Sequence, residues 1–163
     1  MTHLPAELTE QLQALDWQTA IRLIFDQYVP FNRVLGIAVR ELEPDRVVVA
    51  FSMQPELLGN FLRGSLHGGV ISTALDVAGG LAAFMKMLER VEEPLTAVET
   101  VQRFARLSTI DLRVDYLSPG VGQAFTVTAK TLRAGRRVAV TRMELYNESG
   151  RLLAVGTGAY IVS

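Results

Sequence analysis

The run Arg63-Gly64-Ser65-Leu66-His67-Gly68-Gly69 leads directly into a long apolar segment. Two adjacent glycines let the backbone take dihedrals that other residues avoid, and they let a ligand come close. If a helix begins there, the N–H groups of its first turn lack intrahelical partners and sit at the positive end of its dipole. Such groups suit a carbonyl oxygen that gains negative charge, and one such donor is worth roughly 10²–10³ in rate. Asp76 follows about two turns later and is the only charged residue between His67 and Lys86. Burying an unpaired carboxylate is costly, so its position needs a reason. A cleft holding water and substrate is one reason, with Asp76 as general base or nucleophile. An ion pair with Arg113 or Arg106 that merely holds the fold is the other. Thr73 and Gly80 share the Asp76 face at three- and four-residue spacing. Each member of Gly79-Gly80 costs roughly 1 kcal/mol relative to Ala inside a helix, which points to something bulky nearby. His67 has two readings as well, a helix cap or a catalytic group.

These residues must be positioned by the segment from Gly68 to about Leu88. It lacks proline, and its apolar residues cover nearly all sides, so a helix buried in a core is expected. Before it, apolar spacings of three and four predict one helix over Ala6 to Tyr28, stopped by Pro30. Gly36 to Glu43 and Val47 to Met53 read as a β-hairpin about Pro44-Asp45. Glu89 to Leu107, interrupted by Pro94, carries no clear periodicity. The last third is β. Ile110, Leu112, Val114 and Tyr116 alternate with polar residues, as in a half-buried strand. Phe125, Val127 and Ala129 do the same. Arg137 to Tyr146 and Leu152 to Val162 flank Asn147-Glu148-Ser149-Gly150, a good hairpin turn. The expected class is therefore α+β, one long helix against a curved antiparallel sheet.

Composition limits the function. A chain of 163 residues is one ordinary domain, 1–163, with residues 1–30 as a helical extension. Sixteen Lys+Arg against seventeen Asp+Glu give a formal charge of −1, unlike a dedicated nucleic-acid binder. The absence of cysteine excludes disulfides, iron–sulfur clusters, Cys-based zinc sites and a Cys nucleophile. With only His3 and His67, no metal site is expected. No segment reads as long and apolar enough to span a membrane, and Met1 to Asp16 lacks the basic start of a signal peptide, so a cytoplasmic protein is expected. The mean hydropathy is high for a monomer of this size and fits an oligomer.

His67-Gly68-Gly69 followed by Asp76 resembles the signature of hotdog-fold acyl-CoA thioesterases of the phenylacetate-degradation (PaaI-like) type. Thr109-Ile110-Asp111-Leu112-Arg113-Val114-Asp115-Tyr116-Leu117-Ser118-Pro119-Gly120 resembles their following strand. Gly150-Arg151-Leu152-Leu153-Ala154 and Gly156-Thr157-Gly158 are similar to their C-terminal part. The resemblance covers roughly Leu35 to Val162. It implies a hotdog fold, an antiparallel sheet wrapped around one long central helix, here with an extra N-terminal helix. It implies an acyl-CoA substrate, no cofactor, and a homodimer or homotetramer (a dimer of dimers) with active sites between subunits. It implies that the backbone near Gly68 and Gly69 polarises the thioester carbonyl, beside His67. It implies that Asp76 of the other subunit activates water or attacks directly, and that Thr109 orients the water. Asn60, Phe61 and Thr73 are candidates for substrate contact, and Arg136 and Arg137 for the CoA phosphates or a solvated turn. The family often has Asn six residues before the His; here Phe61 stands there and Asn60 is one residue earlier. Leu57, Leu58, Phe61, Phe84 and Leu88 are candidates for an aliphatic tunnel or for ordinary core. The alternatives are a non-catalytic acyl-CoA binding or sensing protein and a hotdog hydratase.

Overall fold

The computed structural model describes residues 4–162. His3 lies outside them. In place of the single expected N-terminal helix there are three. α1 (Ala6–Gln13) ends ahead of Asp16, whose carboxylate accepts the Thr19 N–H at 2.9 Å and starts α2 (Trp17–Leu23). α2 runs on into a π turn, Ile24–Tyr28. Pro30 does not stop a helix but opens α3 (Pro30–Leu35), because the first turn needs no N–H from it. Gly36, at φ 65°, then closes α3 in the left-handed conformation.

β1 (Ala38–Glu43) and β2 (Arg46–Ser52) form the expected hairpin. β3 (Leu58–Asn60) and β4 (Ser65–Leu66) make a second, small one. These two strands are too short to show a period of two. α4 (Gly68–Leu88) follows, and α5 (Ala97–Phe104) occupies the stretch that had no clear periodicity. β5 (Ser108–Tyr116), β6 (Ala124–Ala134), β7 (Val138–Asn147) and β8 (Leu152–Ile161) complete the chain. Six strands form one antiparallel sheet in the order β1-β2-β6-β7-β8-β5. The sheet holds α4 against β6, β7 and β8, which is the hotdog arrangement. Ala74, Leu75, Ala78 and Leu81 of α4 are fully buried against Val127, Met143, Leu145 and Leu153 of the sheet.

Two expectations need correction. α4 is in fact long and apolar enough to cross a membrane, but most of it is buried inside the sheet, which makes it a core helix. β5 is not half-buried along its length. It is an edge strand, opposite β1 across the sheet, and Ile110 and Tyr116 are more than half exposed. The bulky neighbours of Gly79-Gly80 are also now identified. A Cβ at Gly79 would strike the Tyr160 hydroxyl and lie 2.8 Å from Met143 Sδ. One at Gly80 would lie 3.2 Å from Leu107. The glycines let α4 settle onto β7 and β8, and their partners are protein side chains.

Candidate active site

The start of α4 is anchored on both sides. His67 N–H donates to the Leu57 carbonyl at 2.8 Å, and Leu66 N–H donates to the Gly120 carbonyl at 3.0 Å. His67 caps the helix, its Nδ1 accepting the Gly69 N–H at 2.9 Å. That bond engages the Gly69 N–H within the chain itself. The Gly68 N–H has no acceptor among the described residues. The Gly68 carbonyl accepts the Tyr116 hydroxyl at 3.0 Å from the edge strand. Thr73 hydroxyl donates to the Gly69 carbonyl at 2.8 Å, so this side chain is tied to its own helix.

Asp76 is half-buried, and its Oδ1 accepts the Thr109 hydroxyl at 3.0 Å. The ladder between β5 and β8 shifts register between Thr109 and Asp111, a bulge of the kind that re-aims a side chain. Asp76 makes no ion pair among the described residues. Arg113 pairs instead with Asp115 at 3.1 Å, and Arg106 lines a different groove. The ion-pair reading of Asp76 therefore fails. Tyr160 hydroxyl donates to the Asp76 backbone carbonyl at 3.1 Å. Burial, and then the Asp76 charge, push this phenol far above its ordinary range. Tyr160 is thus a fixed neutral donor that holds α4 at Asp76.

Asp76 and Thr109 open into an apolar cavity of about 170 Å³. Its far wall comes from elements outside the recognised motifs. Phe25 and Val29 belong to the π turn and its end, Asn32 to α3, and Phe104 and Leu107 to α5 and its exit. Asn32 is buried, with its Nδ2 donating to the Phe25 carbonyl at 3.1 Å. None of these wall residues was singled out from the sequence. The signal for α5 was present, however, in Thr96-Ala97-Val98-Glu99. Thr96 Oγ1 accepts the Glu99 N–H at 3.3 Å while Glu99 accepts the Thr96 N–H at 2.9 Å, a full capping box.

The remaining candidates lie elsewhere. Asn60 Oδ1 accepts the N–H groups of Leu62 and Arg63, both at 3.1 Å, and so closes the β3–β4 turn. Phe61, at the tip of that turn, is 81% exposed. Neither lines the Asp76 cavity of its own chain. Leu57 is core. Arg136 lines a groove of about 530 Å³ together with Arg90, Arg103 and Arg106. Arg90 donates to the Gly135 and Ala134 carbonyls. Arg103, Arg106 and Arg136 make no ion pair among the described residues. Arg137 is exposed and does not line the groove. Gly68 and Asp76 stand eight residues apart on one helix, which separates them by roughly 12 Å at 1.5 Å per residue. One carbonyl group cannot reach both in the same chain.

The model of the thioesterase superfamily matches residues 63–154. A medium/long-chain acyl-CoA thioesterase of Escherichia coli K12, YigI, is 45% identical over 148 residues, 89% of this chain and 95% of that one. Human acyl-coenzyme A thioesterase 13 is 28% identical over 129 residues, 77% of this chain and 80% of its own. A crystal structure from Shewanella oneidensis, described as related to the thioesterase superfamily, superposes with a TM-score of 0.83 at 46% identity. It covers 98% of this chain and 100% of that one. With the His67-Gly68-Gly69 turn and Asp76 both inside the matched segment, the chain belongs to the thioesterase superfamily.

Proposed function

We propose that this protein hydrolyses acyl-CoA thioesters with medium to long acyl chains, and that two copies build each site. The observation that carries this reading is the Asp76 carboxylate, bonded by Thr109 and opening into an apolar cavity. Likeness to the E. coli enzyme supports the chain-length class. The thioester carbonyl oxygen takes the Gly68 N–H of a second copy, since the Gly68 N–H of the same chain is out of reach. Asp76 either removes a proton from a water that adds to the carbonyl carbon, or adds directly to give an anhydride that water then opens. In both routes the C–S bond breaks, the thiolate of CoA leaves and takes up a proton, and the free acid remains. The CoA phosphates lie in the groove of Arg103, Arg106 and Arg136, where guanidinium groups bind phosphate bidentately. The edge strand β5 and the β3–β4 turn supply the contact between copies, with Ile110, Tyr116, Leu117, Phe61 and Leu62 as its exposed apolar residues.

A hydratase needs a histidine working with an acid, and His67 Nδ1 is instead occupied by the Gly69 N–H. The test is free-thiol release from acyl-CoAs of four to eighteen carbons, plus an aromatic one, by the native protein and by Asp76→Asn. Thiol release that falls by about 10²-fold or more in a folded, equally assembled variant is expected. Binding without release in the native protein would make it a sensing module, and equal release by both proteins would move the chemistry off Asp76. A single turnover in ¹⁸O-water that leaves label in the Asp76 carboxylate establishes the direct attack, with water opening the anhydride at the Asp76 carbonyl.

A further inference from the structure

A second apolar cavity, of about 230 Å³, lies along α4 from the first and includes Trp17, Met85, Leu88, Leu95 and Thr100 in its lining. The walls of the two cavities correspond element by element. On α4, Val77 and Leu81 line the cavity at Asp76, while Met85 and Leu88 line the second, so one helical stripe serves both. On α5, Phe104 lines the first and Thr100, one turn earlier, lines the second. On the N-terminal helices, Phe25 lines the first and Trp17, two turns earlier, the second. A four-residue step is about 6 Å along a helix, so the cavities are close neighbours. Between them Phe84 of α4 meets Phe104 of α5 edge to face, ring centres 5.2 Å apart and planes at 78°. Phe84 is fully buried, whereas Phe104 is only half-buried and borders the first cavity.

We infer that the acyl chain runs along this stripe of α4, beneath α2 and α5, and that Phe104 divides the path and sets the chain length. The inference rests on the thioesterase reading above. A shorter chain fills the cavity at Asp76. A longer one displaces the Phe104 ring, which its half-buried position permits, and reaches the second cavity beside Trp17. Of the tunnel candidates in the sequence, Leu88 lines this path and Phe84 backs the Phe104 ring, whereas Leu57, Leu58 and Phe61 line neither cavity. α1–α3 lie outside the segment that matches the thioesterase superfamily model, whereas α5 lies inside it.

Trp17 is the only tryptophan, so its emission reports the far cavity alone. The native protein is titrated with thioether analogues of acyl-CoA, which cannot be hydrolysed, bearing four- and sixteen-carbon chains, and with CoA itself. The sixteen-carbon analogue is expected to shift Trp17 emission to the blue; the four-carbon analogue and CoA are not. In parallel, Phe104→Ala and the milder Phe104→Leu are expected to raise the kcat/KM ratio of sixteen- over eight-carbon substrates by about tenfold, the scale on which pockets discriminate chain length. Trp17 emission that ignores chain length, or that responds equally to CoA, overturns the path. An unchanged ratio in whichever variant folds overturns the role of Phe104. If thiol release still depends on Asp76 in those cases, the thioesterase reading stands and only this inference falls. If no acyl-CoA is hydrolysed at all, the earlier reading falls first.

Discussion

Asp76 is held by a single side-chain donor, the Thr109 hydroxyl. A hydrogen bond to a charged group is worth about 1.5–3 kcal/mol net. Thr109→Val is therefore expected to lower kcat for acyl-CoA hydrolysis by roughly ten- to a hundredfold. Thr109→Ser, which keeps the hydroxyl, is expected to recover most of it; a purely structural role for the threonine methyl would give the opposite order. The arginine groove calls for a different comparison. Arg103→Ala is expected to raise KM for acyl-CoA several-fold with little change in kcat. The same variant is expected to leave unchanged the kinetics of an acyl-pantetheine thioester, which lacks the nucleotide phosphates. The place of Arg103 in this groove was not legible, because a lone arginine on a short helix has no pattern. Arg136 was singled out from its turn, and only the fold brings the two together. Asp76 and His67-Gly68-Gly69 were legible for the converse reason. A charge and paired glycines break an otherwise apolar helix, and such breaks carry a cost that needs a purpose.

Among the elements, the long helix was readable from its length, its lack of proline and its apolar residues on all sides, and the strands from their alternation. The N-terminal breaks and α5 were not, since each piece is too short to establish a period. There the information lay in caps, at Asp16 and at Thr96 with Glu99. Capping also ties the sheet together at Glu148, whose carboxylate accepts the N–H groups of Gln123 at 3.0 Å and Ala124 at 3.3 Å. The Gln123 N–H, then other backbone N–H groups, hold this carboxyl below the usual range. A carboxyl whose pKa is lowered on folding stabilises the protein above its unfolded value, about 4.3, and that contribution is lost as pH falls through the folded value. Glu148→Gln is thus expected to lower Tm at pH 7, and the gap to the native protein is expected to close below pH ~4. Scanning calorimetry at several pH values reads this directly, and a gap constant with pH would exclude the charge as its source.

For the whole molecule, Phe61 and Leu62 of the β3–β4 turn and Ile110, Tyr116, Leu117 and Val121 on and after the β5 edge leave exposed apolar surface, as do Phe31 and Val34 on α3. The protein is expected to sediment as a dimer or a dimer of dimers. Ile110→Asp, on an exposed edge position, is expected to shift it toward monomer and to lower thiol release by at least about tenfold, while far-UV circular dichroism is retained. A monomer with full activity would mean that one chain builds the entire site. The sequence pointed to an oligomer through its hydropathy and through resemblance, but hydropathy alone does not say which surface a second copy covers. The edge position of β5 has a further consequence for synthesis. Thr109 lies on a strand whose ladder partner, β8, leaves the ribosome only after β6 and β7. Until β8 emerges, the nascent chain holds α4 and its carboxylate but has no strand to set Thr109 against it. The hydrogen bond between Asp76 and Thr109 therefore waits for the last strand of the chain.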